Sequence, residues 1–131
     1  MTNGKTVIGG IEFDIIDGEE GFDVVIPEIN SIYTHMLGHD CHSIVAGEKH
    51  ADAIIATLKD YINKGYKLIL TSHYTPETIE DVKTKIAYLE DLKAIAKASK
   101  NGKEFKTTVK NKYPNYSGEN YLDMTTNYFF N

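Results

Sequence analysis

The chain has 131 residues, enough for one hydrophobic core, and 41% hydrophobic against 25% charged residues excludes a disordered composition. Nineteen acidic and fourteen basic residues leave a formal charge of −5, and every basic residue is a lysine. With neither a sequence-wide positive field nor a guanidinium fork, nucleic acid is excluded as an expected partner.

The elements follow in chain order. Thr6-Val7-Ile8 and Ile11-Glu12-Phe13-Asp14-Ile15-Ile16 read as two short strands broken by Gly9-Gly10, with apolar and polar residues alternating from Ile11. Asp17 to Gly21 reads as a turn, Phe22 to Ile26 as a strand stopped by Pro27, and Ser31 to Thr34 as a further strand running into His35. From His50 the period changes to that of a helix, with Ile54, Ile55, Leu58, Tyr61 and Ile62 on one stripe and Gly65 closing it. Tyr66 to Thr71 has the bulk of a buried strand. A long helix capped by Thr75 and Pro76 carries Ile79, Val82, Ile86, Leu89 and Leu92 inward, with Asp81 and Lys85 paired outside. A short helix over about 103–111 and a path made irregular by Pro114 and Gly118 complete the chain.

This order predicts an α/β fold, a mixed β-sheet flanked by helices. One domain is expected over 1–131, with strands and a βαβ core over about 5–73, a long helix over about 76–100 and an irregular aromatic-rich tail over about 112–131. The expected core is built from Val24, Ile26, Ile32, Ile54, Leu58, Leu68, Leu70, Val82, Ile86 and Leu89. Cys41 is the only cysteine, so neither an internal disulfide nor a multi-thiolate zinc site is available. With no apolar run long enough to cross a bilayer and no signal-peptide core, no membrane is expected and the cytoplasm is the expected setting.

Five histidines are the residues most suited to chemistry, and four of them (His35, His39, His42 and His50) fall within sixteen positions. If the strands ending at Thr34 and Thr71 are parallel neighbours joined by the helix between them, His35 and His73 project from the same, carboxyl edge of the sheet. That edge is where open α/β sheets bind ligands, and two imidazoles arriving there suit a metal or an acid/base pair. Exposed histidines at strand ends with no ligand are the plainer alternative. The loop His39-Asp40-Cys41-His42 holds nitrogen, oxygen and sulfur donors but matches no closed zinc pattern, and Cys41 with His42 or His39 as base is a further reading. Neither a phosphate-binding glycine loop, a Gly-x-Ser-x-Gly elbow nor a His-Glu-x-x-His helix is present. Tyr113, Tyr116, Tyr121, Tyr128, Phe129 and Phe130 crowd the last stretch, as packing groups or as an interface.

The run Val24-Val25-Ile26-Pro27-Glu28 to Tyr33-Thr34-His35, then His42, a helix, Leu68-Ile69-Leu70-Thr71-Ser72-His73 and a long helix, resembles the C-terminal half of metallo-β-lactamase-fold hydrolases. The resemblance covers about the first hundred residues and implies half of an αββα sandwich. It implies that His73 matches the family's last metal-binding histidine. Thr34-His35 stands where the family has a Gly-Asp pair, so the bridging carboxylate is absent and a mononuclear or degenerate site is implied. The His-x-His-x-Asp-His motif of the N-terminal half does not occur in these residues.

The function expected on this footing is the C-terminal portion of a metal-dependent hydrolase, inactive alone. Zinc or another divalent metal would be bound in the complete protein or not by this chain at all, and the substrate would be a small molecule. The partner would be a second copy or the missing N-terminal half. The competing class is a non-catalytic binding or oligomerisation domain with incidental histidines.

Overall fold

The structure, a computed structural model, describes residues 3–18 and 21–131. The element order is β1 (Gly4–Ile8), β2 (Ile11–Gly18), β3 (Gly21–Ile26), a 3-10 turn (Pro27–Ile29), β4 (Ser31–Thr34), α1 (Glu48–Lys64), β5 (Leu68–Thr71), α2 (Ile79–Ala98), α3 (Gly102–Lys112) and α4 (Glu119–Phe130). The described chain divides into two compact units. The first holds the residues up to Leu37 together with Asp60–Val82, and the second holds Gly38–Lys59 and Lys83–Asn131.

The first unit is one five-stranded mixed sheet in the order β1-β2-β3-β4-β5. Its first three pairings are antiparallel and the last, β4 with β5, is parallel. Gly9 and Gly10 both take positive φ, which is why a two-residue turn joins β1 to β2. The expected turn after Asp17 falls partly on residues 19–20, outside the described residues. Asn30, left-handed at φ 46°, ends the 3-10 turn. Its side chain donates to the Gly65 carbonyl at 2.7 Å and its carbonyl accepts from Lys67 N–H at 2.7 Å, so the starts of β4 and β5 are tied together. Gly65, at φ +66°, closes α1 as anticipated.

The register sets Gly4, Ile15, Val24, Tyr33 and Leu70 in one row across all five strands. The next row, Lys5, Asp14, Val25, Ile32 and Ile69, projects from the other side. This corrects the expected core. Ile32, Leu58, Val82 and Leu89 are buried, but Val24, Ile26 and Leu70 are half-buried and Leu68 is exposed. Leu68 and Leu70 sit on the side of the sheet opposite Ile69, which is fully buried. Ile54 and Ile86 are also only half-buried.

Two helix boundaries also move. Glu77 exchanges both backbone hydrogen bonds with Ile69, at 2.8 and 2.9 Å, so the chain after His73 returns extended along β5 and the helix cannot begin at Pro76. Thr78 starts α2 instead, its N–H donating to Asp81 at 2.8 Å. The tail expected to be irregular over 112–131 is mostly α4. Gly118 in the left-handed region breaks the chain from α3, and Leu122 and Thr125 are buried one turn apart on the new helix.

The second unit packs Leu89, Leu92, Phe105, Val109 and Leu122 with no exposure at all. Lys85, expected on the outer face of α2, is buried there. Its ammonium donates to the carbonyls of Gly38 and Cys41 at 2.9 and 2.7 Å and lies 4.8 Å from the centre of the Tyr88 ring.

Candidate functional site

The parallel pair β4 and β5 runs in register from Ser31 with Leu68 to Thr34 with Thr71, and both strands deliver their next residues at one edge. The ladder continues one step further, with Ser72 N–H donating to the His35 carbonyl at 3.1 Å. In consequence the His35 and His73 rings meet edge to face, their centroids 4.9 Å apart. Both residues are exposed. The two residues picked out by strand position are thus brought together, within one compact unit.

Two further features at this edge were not foreseen. Tyr33, one residue before the strand end, places its hydroxyl 2.5 Å from Ser72 Oγ. Thr71 Oγ1 is buried without a hydrogen-bond partner, a polar atom held at an energetic cost beside the histidine pair. A hydroxyl on alternate residues of paired strands was the available signal, but nothing in the sequence distinguishes such a pair from ordinary strand polarity.

The other histidines are engaged elsewhere. His50 Nδ1 accepts from Ala46 N–H at 2.9 Å, ordering the start of α1. His42 is buried, its Nδ1 2.9 Å from the Tyr88 hydroxyl, with Tyr116 also against its ring. Burial and then the nearby Lys85 charge hold the His42 pKa below its usual value. Cys41 is buried and free, and its thiol donates to the His42 carbonyl at 3.2 Å rather than meeting a base. The Cys41 thiol thus faces a backbone carbonyl, and among the described residues the loop His39-Asp40-Cys41-His42 forms no group of three side chains that could hold a metal.

A metal site needs more than the edge supplies. Among the described residues no group of three or more His, Cys, Asp or Glu side chains stands close enough to hold a metal ion. Two imidazoles at contact distance fit part of a nitrogen-rich site and fall short of the three protein ligands of a catalytic zinc. No helix among the described residues is long and apolar enough to cross a membrane.

No family model and no curated protein matches the sequence. Solved structures do. A double mutant of the sec-alkyl sulfatase PisA1 superposes with a TM-score of 0.58 at 16% identity, over 97% of this chain and 25% of that one. The fold is that of half of a metallo-β-lactamase-like domain. The stereoselective inverting sec-alkylsulfatase Pisa1 from Pseudomonas sp. matches 98% of this chain over 22% of its own, at 16% identity and a TM-score of 0.51. A metallo-beta-lactamase from Pontibacter korlensis aligns with 69% of this chain and 46% of its own length, at 16% identity and a TM-score of 0.49. The chain thus spans less than half the length of each of these solved chains.

Proposed function

We propose that this chain is the C-terminal portion of a metal-dependent hydrolase and that His35 and His73 are two of its metal ligands, the remaining ligands coming from polypeptide outside these residues. The observation that carries the reading is the 4.9 Å ring pair at the carboxyl ends of two parallel strands. The likeness to part of larger hydrolase chains supports it. When bound, a divalent metal activates water and polarises the bond to be broken. The chain's own part is to hold two imidazoles at a fixed separation, with the Ser72 N–H bond to the His35 carbonyl locking the two strand ends in register. The Tyr33 and Ser72 hydroxyls offer donors beside them. Imidazole binds metal only when unprotonated, so metal affinity falls as pH is lowered. On its own the chain is inactive, and the cytoplasm suits its single buried thiol.

The second reading is a binding or oligomerisation domain with incidental histidines, and the lack of a third ligand among the described residues favours it. Calorimetric titration with zinc separates the two. The hydrolase reading expects weak binding to the isolated chain that disappears in His73→Ala, and a His-x-His-x-Asp-His sequence encoded upstream. Tight stoichiometric binding that survives His73→Ala would overturn the assignment, and no zinc binding at any pH would favour the second reading.

A further inference from the structure

The edge strand of a sheet presents unpaired backbone groups, and chains guard it with proline, a bulge, inward charge or a covering segment. Among the described residues β1 has none of these. It stands at the end of the strand order, farthest from β5, and pairs with β2 over five consecutive residues without a bulge. It contains no proline, and every one of its residues is exposed. Its single charge, Lys5, is drawn onto its own sheet by Glu12 at 3.1 Å. The Gly9-Gly10 turn fixes the phase of the free edge, because a two-residue loop makes Ile8 and Ile11 a hydrogen-bonded pair and such pairs then alternate. Gly4, Thr6 and Ile8 therefore bond to β2, while the N–H and C=O groups of Lys5 and Val7 point outward.

We infer that β1 pairs with β1 of a second copy of this chain, antiparallel about a two-fold axis at Thr6, so that two five-stranded sheets continue as one. The inference is independent of the metal reading. Self-complementarity chooses the occupant. With Thr6 opposite the partner's Thr6, Lys5 faces the partner's Val7 and Val7 faces the partner's Lys5, so all the outward groups of both residues pair in four backbone bonds. No like charges meet on this face. Each Lys5 lies between Asp14 of its own β2 and the partner's Val7, whose next neighbour is the partner's Glu12, so two ammonium groups sit among four carboxylates. On the other face Ile8, 66% exposed, lies across from the partner's Gly4, where a Cβ would meet nothing within 4 Å. The projecting side chain at one end of the strand thus fits the open space at the other. Centring the axis on Lys5 would set lysine against lysine, and centring it on Val7 would run Lys5 into the Gly9-Gly10 turn. Five residues a side fall far short of the roughly 20 to 30 of a standard interface, so the dimer is weak and exchanges with monomer.

Sedimentation of this chain from micromolar to millimolar concentration should show that equilibrium. Val7→Pro removes two of the four seam bonds without touching a bond to β2, and should weaken the dimer by about tenfold or more. Ile8→Lys should weaken it similarly, and with a side chain so exposed it keeps the test valid if proline disturbs the hairpin. Met124→Lys, on α4 and 43% exposed, should leave it unchanged. The register has a readout of its own. The two Thr6 Cα atoms would stand about 4.5 Å apart, within disulfide reach, whereas the two Lys5 Cα atoms would be beyond about 7 Å. Thr6→Cys should therefore oxidise to a covalent dimer and Lys5→Cys should not. A monomer at every concentration, a dimer indifferent to Ile8→Lys, or cross-linking through Lys5→Cys as efficient as through Thr6→Cys would overturn the inference.

Discussion

His42 shows how one side chain couples packing to pH. Its ring lies 5.8 Å from that of Tyr88 and 5.5 Å from that of Tyr116, and Nδ1 meets the Tyr88 hydroxyl. Burial, with Lys85 next in weight, holds its folded pKa below the unfolded value of 6.5, while Glu119 pulls the other way and Lys110 adds to the lowering. The unfolded chain therefore binds a proton more readily than the folded one. The stability associated with neutral His42 is complete above pH 6.5 and is lost as the pH falls from there toward the folded pKa. Urea denaturation between pH 7 and pH 5 should show this decline, and His42→Gln should flatten it; an unchanged slope in the variant would assign the decline to other groups. Lys85 is the reason for part of this. It brings a cation into the interior, where two backbone carbonyls and a ring face offset its desolvation.

Among the elements, α4 depends on how the chain enters it. Gly118 has φ +78°, and a Cβ there would lie 2.7 Å from Cys41 Sγ and 2.9 Å from Tyr121 Cδ2. Gly118→Ala therefore meets two penalties at once, backbone strain and overpacking, each on the order of 1 kcal/mol or more. A loss of about 2 to 4 kcal/mol in denaturant unfolding is expected, and a change below about 0.5 kcal/mol would show that the segment shifts freely. The helix is then held by Thr125, whose hydroxyl donates to the Ser43 carbonyl at 2.6 Å and accepts from Val45 N–H at 2.8 Å. Such long-range bonds leave no periodic trace, which is why the last segment read as irregular. Strands β1 to β4 were legible because alternation, Gly9-Gly10 and Pro27 punctuate them. The face of α2 was misread because Lys85 was assigned by charge rather than by position, although it lies between Val82 and Leu89 on the apolar stripe. Likewise, apolar character alone placed Leu68 and Leu70 in the core, whereas the register with β4 turns them to the face opposite the buried Ile69. The histidine pair was legible for a topological reason, since two strands joined through a helix in parallel end at the same edge.

For the molecule as a whole, the question is whether the fold would depend on a metal bound at the proposed site. Both compact units contain buried apolar side chains. Ile32, Ile69 and Val82 are buried in the first, and Leu89, Leu92, Phe105 and Leu122 in the second. His35 and His73, in contrast, lie exposed beyond the strand ends. Structural zinc in a small metal-folded domain contributes about 10 to 16 kcal/mol, comparable to the whole stability of a domain. A two-imidazole site filled to half occupancy would add only about 0.4 kcal/mol through mass action. Thermal unfolding of this chain should accordingly shift by less than about 2 °C when a chelator replaces zinc. A fall of about 10 °C or more on chelation would mean that metal is built into the folded state, through ligands other than the exposed pair, and that the sheet is not self-sufficient. A small shift abolished by His73→Ala is the outcome the geometry favours, because it ties the metal to the strand edge and leaves the fold to the core.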